Sequence, residues 1–307
     1  MSTCDVLIND VSLRDGIQSE KILIPLATKL AIARTLIAAG VRSLQITSFV
    51  NPLKVPQMAD AESLVANLNA PPGVILSALV LNERGLDRLI ATKLGHVDLS
   101  LSTSDAHSRR NSGMSLDEAR RQAVAMTKRA KTAGLKVRAG LQCVFGCYDA
   151  GKISPELVVS MVEELVAAGC DTISLADSTG LALPDDIKRM VAEVRTCTDL
   201  PLVLHLHDTR GLGMANVMAG FEAGVRTFDA ALGGVGGCPF IAGASGNVAI
   251  EDLVHWASHT GLASGISLPA LAPAGQLLEE ALNKALPGRV YQLAKRSPAL
   301  AAYGLPT

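Results

Sequence analysis

The sequence predicts an α/β fold, a (β/α)8 TIM barrel with a C-terminal helical extension. Three observations lead there. Short apolar, β-branched runs alternate with longer stretches of helical period, and the pair recurs eight times along one chain. The chain has 307 residues and is 49% hydrophobic, which suits one such barrel with a sizeable core. The glycine fingerprint that an open doubly wound sheet would carry after its first strand is missing, since Asp15-Gly16-Ile17-Gln18 stands there. We expect one catalytic domain over residues 1–307, with the barrel at about 5–260 and the helical extension at about 261–307.

The units follow in order. Strand one reads Asp5 to Leu13, and its helix runs from Leu26 to Ala39, closed by Gly40. Strand two is Ser43 to Thr47, with a helix from Pro56 to Leu68. Strand three is Val74 to Val80, with a helix from Glu83 to Lys93. Strand four is His96 to Ser102, and a long polar loop then leads to a helix near Ser115. Ser115 with Glu118 reads as a capping box, and Gly134 ends that helix. Strand five is Lys136 to Val144, and Ser154-Pro155-Glu156 opens the next helix. Strand six is Thr172 to Ala176, with a helix from Pro184 to Arg195. Strand seven covers Leu202 to Asp208, with a helix from Met214 to Ala223. Strand eight is Thr227 to Ala231, followed by a glycine-rich run to Gly246 and a helix from Val248 to His259. A last helical pattern near Gln276 to Ala285 is expected to pack outside the core.

Composition excludes several classes. Net charge is −1 and aromatic residues are only 3%, so neither a basic footprint nor base-stacking platforms for nucleic acid are present. The cysteines Cys4, Cys143, Cys147, Cys170, Cys197 and Cys238 form no Cys-x-x-Cys and no secreted disulfide pattern. The start of the chain has no signal-peptide pattern, and no apolar run is long enough to span a membrane. The expectation is a cytoplasmic protein without nucleic-acid or membrane partners.

The chemistry centres on Leu202 to Asp208, Leu-Val-Leu-His-Leu-His-Asp. Residues i and i+2 of a strand share a face, so His205 and His207 project together while Leu204 and Leu206 face the other way. Two imidazoles at the end of an apolar strand make half of a divalent-metal site, whereas a single one would read as a core histidine. Asp15 offers a hard oxygen ligand and Arg14 a forked cation. Alone, the two read as a surface ion pair before a turn at Gly16. A barrel, however, gathers the C-terminal ends of its strands at one mouth, which brings Asp15 towards the histidines. With no thiolate among these candidates, Mg2+ or Mn2+ is favoured over zinc. Asn247 reads equally as a fourth ligand and as the N-cap of the helix that follows. Cys238 lies among the glycines of 233–246, on a loop that gates the active face or as an inert thiol. Asp177 and Gln142 sit near strand ends without an assigned role. His96, His107, His255 and His259 read as structural.

Four stretches carry a family resemblance. Arg14-Asp15-Gly16-Ile17-Gln18-Ser19-Glu20-Lys21, Thr47-Ser48-Phe49-Val50 with Val55-Pro56-Gln57-Met58, His205-Leu206-His207-Asp208, and Gly236-Gly237-Cys238-Pro239 through Gly246-Asn247 resemble the 3-hydroxy-3-methylglutaryl-CoA lyases. That family belongs to a superfamily of metal-dependent barrels that make or break C–C bonds beside acyl-CoA or 2-oxo acid groups. The resemblance runs from about residue 5 to 260. It implies metal ligation by Asp15, His205, His207 and Asn247, and catalytic roles for Arg14, Asp15, His205 and Cys238. It implies substrate contacts from Arg14, Gln18, Gln45 and Gly140, an acyl-CoA substrate, a homodimer and a place in leucine degradation. The implied reaction is a retro-Claisen cleavage to acetyl-CoA and a keto product, acetoacetate for methylglutaryl-CoA.

Two positions depart from the family. Gln45 stands where it has a glutamate, and Gly140 where it has a tyrosine. The first change removes a charge near the metal and the second opens space. A bulkier or differently charged acyl group is therefore an alternative substrate. A condensing acyltransferase of the isopropylmalate or homocitrate synthase type is a rival, but the Gly-Gly-Cys-Pro loop points away from it. A barrel that binds acyl-CoA or metal without turnover is a third reading, opposed by the intact set Arg14, Asp15, His205, His207 and Asn247.

Overall fold

The computed structural model describes residues 5–236 and 246–296. Eight short strands pair in chain order, each parallel to the next, and the eighth pairs with the first to close a barrel. They are β1 (Leu7–Asp10), β2 (Ser43–Ser48), β3 (Ile75–Val80), β4 (His96–Ser102), β5 (Lys136–Gln142), β6 (Thr172–Asp177), β7 (Leu202–Leu206) and β8 (Thr227–Ala230). Their alternation decides what fills the barrel. Ile8, Leu44, Ile46, Val97, Val137, Leu204 and Phe228 are buried in the apolar layer shared with the outer helices. Many residues of the other parity are polar, and Gln45, Asp98, Arg138, Ser174, His205 and Asp229 line the lumen.

The outer ring comprises α1 (Leu26–Ala38), α2 (Ala61–Asn67), α3 (Glu83–Ile90), α4 (Asp105–Ser112), α5 (Leu116–Thr132), α6 (Pro155–Ala167), α7 (Pro184–Arg195), α8 (Gly213–Glu222) and α9 (Ile250–His259). The expected capping box is present at Ser115 and Glu118, and Ser154 caps α6 ahead of Pro155. Most boundaries fall within a few residues of the sequence expectation.

Among the barrel elements, β1, the helix after β2, the stretch before Ser115 and β7 differ from that expectation, each for a local reason. β1 ends at Asp10 rather than Leu13. The Asp10 carboxylate accepts from the Ser12 backbone N–H (3.1 Å) and from its hydroxyl (2.7 Å), which bends the chain into a wide helical turn, Ser12–Gly16. The expected helix over 56–68 is split into a tight turn, Pro56–Met58, and α2. The polar stretch before Ser115 contains α4 instead of a long loop. Its segment Asp-Ala-His-Ser-Arg-Arg-Asn-Ser has no apolar stripe, and its ends hold it: Ser104 accepts from the His107 N–H, and Gly113 closes it at φ +79°. β7 ends at Leu206, and a backbone bridge to Asn247 carries His207.

The C-terminal helices are α10 (Leu268–Leu282) and α11 (Arg289–Arg296). The helical pattern seen near Gln276 begins earlier than expected, because Pro269 sits in the first turn, where its missing N–H costs nothing. α10 does not lie outside the core. Leu271, Ala274, Leu278 and Leu282 are buried in the same apolar layer as the barrel helices, against α1. Tyr291 of α11 packs against Gly275, where an added Cβ would approach its ring to 2.4 Å, and its hydroxyl donates to Glu279 (2.9 Å). Truncating Leu278 to alanine should therefore destabilise the protein by about 2–5 kcal/mol, as for other fully buried leucines. Urea unfolding midpoints check this, and a cost below about 0.5 kcal/mol, the range of surface substitutions, would return α10 to the periphery.

Candidate active site

The mouth at the C-terminal ends of the strands is a cavity of about 160 Å³. Arg14, Asp15, Gln18, Gln45, Gly140, His205 and His207 all line it. Asp15 comes from the turn after β1, and that turn brings its carboxylate opposite β7. Asp15 Oδ2 lies 3.6 Å from His207 Nε2 and 3.8 Å from His205 Nε2, and the two imidazole nitrogens are 3.1 Å apart. One ligand atom from each of the three residues falls within 4.8 Å of the others. The three side chains are buried.

Asn247 joins them. Its amide nitrogen donates to Asp15 Oδ2 (2.9 Å) and to the Val235 carbonyl (3.0 Å). Its own carbonyl oxygen, like His207 Nδ1, is buried without a hydrogen-bond partner among the described residues. The reading of Asn247 as a helix cap does not hold, because α9 starts after Ala249. An orphaned amide oxygen beside a carboxylate and two converging imidazoles suits a divalent cation that takes oxygen and nitrogen ligands.

Arg14 donates through Nη1 to Asp15 and through Nε to Gln45. Gln18 donates to Asp15 Oδ1 (3.1 Å). Burial by itself would raise the Asp15 carboxyl. The Arg14 charge, with His207 and His205 beside it, outweighs it and holds Asp15 well below the usual carboxylate range.

Behind this layer lies a set of residues that sequence reasoning misses. Asp229 faces His205 across the β7–β8 pair and accepts from its Nδ1 (3.0 Å), which leaves Nε2 to face the cavity. Arg138 binds Asp229 through two N–H groups (2.8 and 3.1 Å), and its Nε lies 3.1 Å from Asp98. Asp98 in turn accepts from Ser77 (2.7 Å) and from the Gln45 amide. Gln45 therefore leaves no gap in charge, since a carboxylate stands directly behind it. Burial opposes the ionised form of Asp229, but Arg138 and His205 hold it well below the usual range. A signal for these residues exists in the sequence. Asp98, Arg138 and Asp229 interrupt apolar strands at the parity that singles out His205 and His207.

Gly140 lies between Ser100 and Ser174 on neighbouring strands. An added Cβ there would sit 3.3 Å from the Leu99 carbonyl and 3.6 Å from the Ser100 hydroxyl. Gln142 donates to Ser100 (2.8 Å) and lines the cavity. Asp177 accepts from the N–H groups of Leu181 (3.0 Å) and Ala182 (3.1 Å), a loop-shaping role rather than one in the cavity. Cys238 lies outside the described residues. The flanks of its segment are described and meet beside the metal-site candidates: a Cβ on Gly236 would fall 2.6 Å from the Asn247 amide nitrogen, and one on Gly246 would fall 2.4 Å from Gly236.

A closed barrel with a carboxylate and two imidazoles converging at its C-terminal mouth defines a class of barrel enzymes that work through a divalent cation. A family model described as HMGL-like matches residues 5–278. Mitochondrial hydroxymethylglutaryl-CoA lyase of Bos taurus is 36% identical over 290 residues, covering 94% of this chain and 89% of its own. The (R)-citramalyl-CoA lyase of Chloroflexus aurantiacus is 40% identical over 300 residues, covering 93% of each. The crystal structure of the Bacillus subtilis HMG-CoA lyase superposes with a TM-score of 0.92 at 32% identity, covering 95% of this chain and 99% of that one. An Acinetobacter baumannii HMG-CoA lyase in complex with coenzyme A and 3-methylmalate gives 0.91 at 34% identity, with both chains fully covered. The chain belongs to the HMGL-like family of lyases, whose members depend on a divalent metal.

The start of the glycine run, at Gly233, rests on a buried acid. Glu251 of α9 accepts from the Gly233 N–H (2.8 Å). Burial pushes its carboxyl up to about 8, against the backbone hydrogen bonds that lower it and with help from Asp252 and Asp10. A carboxyl raised on folding favours the protonated native state. Its contribution to stability is complete below about 4.5, the ordinary value, and is lost as pH rises towards 8. Glu251→Gln should melt progressively higher relative to the parent as pH goes from about 5 to about 8.5. Parallel melting curves across that range would refute the buried, protonated state.

Proposed function

We propose that the protein is a divalent-metal-dependent carbon–carbon lyase. Its substrate is a 3-hydroxy-3-methylacyl-CoA with a carboxylate on the C3 substituent, in the first place 3-hydroxy-3-methylglutaryl-CoA. The observation that carries this reading is the convergence of Asp15, His205 and His207 beside Arg14 at the barrel mouth. The lyase relatives and the coenzyme A in the Acinetobacter structure support the acyl-CoA class. We take the barrel and its C-terminal helices as one catalytic domain, working as a homodimer on the strength of the resemblance. No helix among the described residues is long and apolar enough to cross a membrane. Cys143, Cys147, Cys170 and Cys197 are free thiols, which fits a reducing cytoplasm.

Asp15, His205, His207 and Asn247 would hold the cation, Mg2+ or Mn2+. Bound there, it supplies Lewis-acid polarisation of the substrate's C3 hydroxyl and a template for its oxygens. In the reaction the C3 hydroxyl loses its proton to a base, its oxygen becomes the carbonyl of the leaving oxo acid, and the C2–C3 bond breaks. The bonding electrons pass to C2 and the thioester as an enolate. Arg14 is held by Asp15 and Gln45 through Nη1 and Nε, which leaves Nη2 for the enolate oxygen. A proton returned to C2 by Cys238 completes acetyl-CoA, because His205 would give Nε2 to the cation and its Nδ1–H to Asp229. Asp229 fixes the His205 ring for that ligation.

A second reading takes citramalyl-CoA as substrate, with pyruvate as the oxo acid. The identity to the Chloroflexus enzyme favours it. Incubating the protein with each thioester and Mg2+ or Mn2+ separates the readings by product, acetoacetate or pyruvate. Release of neither, with both metals, refutes the lyase proposal.

Two substitutions test the assigned roles. His207→Ala should weaken Mn2+ binding at least about tenfold in a titration of the protein alone, since even an outer-layer partner is worth that much. Undiminished binding would remove His207 from the ligand set. Arg14→Lys keeps the charge and loses the fork. It should lower kcat and kcat/KM together by roughly 10²-fold, the usual loss for an oxyanion donor. A raised KM at unchanged kcat would make Arg14 a binding residue only.

A further inference from the structure

Gln45 stands between two groups of fixed polarity. Arg14 can only donate, and it presents Nε–H to the Gln45 carbonyl oxygen. Asp98 is ion-paired with Arg138 and presents a carboxylate oxygen to the Gln45 amide nitrogen. The side chain between them must accept on one side and donate on the other. A primary amide does both, whereas a carboxylate at position 45 would satisfy Arg14 but meet Asp98 oxygen to oxygen. Asp98 is itself fixed, by the Ser77 hydroxyl at 2.7 Å and by Arg138 Nε at 3.1 Å, and is only 5% exposed. Neither Gln45 nor Asp98 has room to turn away without leaving a buried polar group unpaired.

We propose that Gln45 and Asp98 form a matched positioning pair for Arg14, in which Asp98 supplies the negative charge and the Gln45 amide transmits its hold on the guanidinium. Asp98 acts through another residue and is a positioning residue. The inference rests on the lyase reading only for its kinetic consequence, since the hydrogen-bond order is independent of the reaction. It makes the two identities interdependent. Gln45→Glu places two carboxylates in contact, and Asp98→Asn leaves Arg138 facing a neutral group. Gln45→Glu/Asp98→Asn restores the order. The new amide at position 98 can donate to the new carboxylate at position 45, which in turn accepts from Arg14, and total charge is unchanged.

The test is a double-mutant cycle with two readouts. The first is steady-state cleavage of whichever of the two thioesters the parent uses. Each single variant should lose about tenfold or more in kcat with KM within about threefold, and the double variant should return to within about threefold of the parent. The second needs no metal and no substrate. It is solvent exchange of the Arg14 Nε–H in the metal-free protein by NMR, assigned by its loss in Arg14→Lys. That proton should exchange slowly in the parent, fast in Asp98→Asn, and slowly again in the double variant. A purely structural role would lower melting temperatures without restoring kcat in the double variant. Parental kcat in Asp98→Asn, a double variant no better than the worse single, or unchanged Nε–H exchange overturns the proposal. If the parent cleaves neither thioester, the lyase reading fails and the exchange measurement still decides this one.

Discussion

The Arg138 guanidinium, enclosed in the barrel lumen, is the group on which the rest of the site depends. Burial works against its charge, and the carboxylates of Asp229 and Asp98 hold it charged. Breaking a buried pair of this kind by removing one partner is far more damaging than never having it, because the remaining charge is left without compensation. Its two acceptors lead to opposite walls of the cavity. Asp229 fixes the His205 ring, and Asp98 reaches Arg14 through Gln45. One buried cation thus sets the orientation of both sides of the candidate metal site.

A polar lumen of this extent needs an apolar shell strong enough to carry it. The strands provide both at once. Their helix-facing residues join α1 to α10 in a continuous layer, while their lumen-facing residues are free to be chosen for chemistry. This division explains why a chain with 49% hydrophobic residues can place Asp15, Asp98, Asp229, His205, His207, Arg14 and Arg138 around one cavity at the centre of its fold. The polar groups there satisfy one another along a chain of hydrogen bonds. The exceptions among the described residues include the Asn247 carbonyl and His207 Nδ1, both on ligand candidates.

The wide turn Ser12–Gly16 shows how a short-range interaction serves the site. Asp10 captures Ser12 and ends β1 early, and the turn that results lifts Arg14 and Asp15 over the mouth. The Ser12 hydroxyl also accepts from the Leu232 N–H (2.7 Å), so this turn is joined to the start of the glycine run from β8. Asn247, held by Val235 and Asp15, ties the far end of that run to the same place.

Much of this is legible in the sequence. The eight-fold rhythm, the shared face of His205 and His207, the capping box at Ser115 and the motifs around Arg14 and Asp15 are local signals, and local periodicity determines them. The limits of the sequence are equally specific. α4 reads as a loop because its ends hold it rather than an apolar face. α10 reads as peripheral because its fit against α1 depends on distant residues. Asp98, Arg138 and Asp229 stand in plain view at lumen-facing positions, yet nothing local says which of them meet. Barrel closure and strand register decide that Asp98 and Asp229 flank one guanidinium, and that Gln45 bridges Asp98 to Arg14. The sequence alone therefore determined which residues face inward. Only the closed tertiary structure decided which of them touch, because contacts across the lumen join strands far apart in the chain.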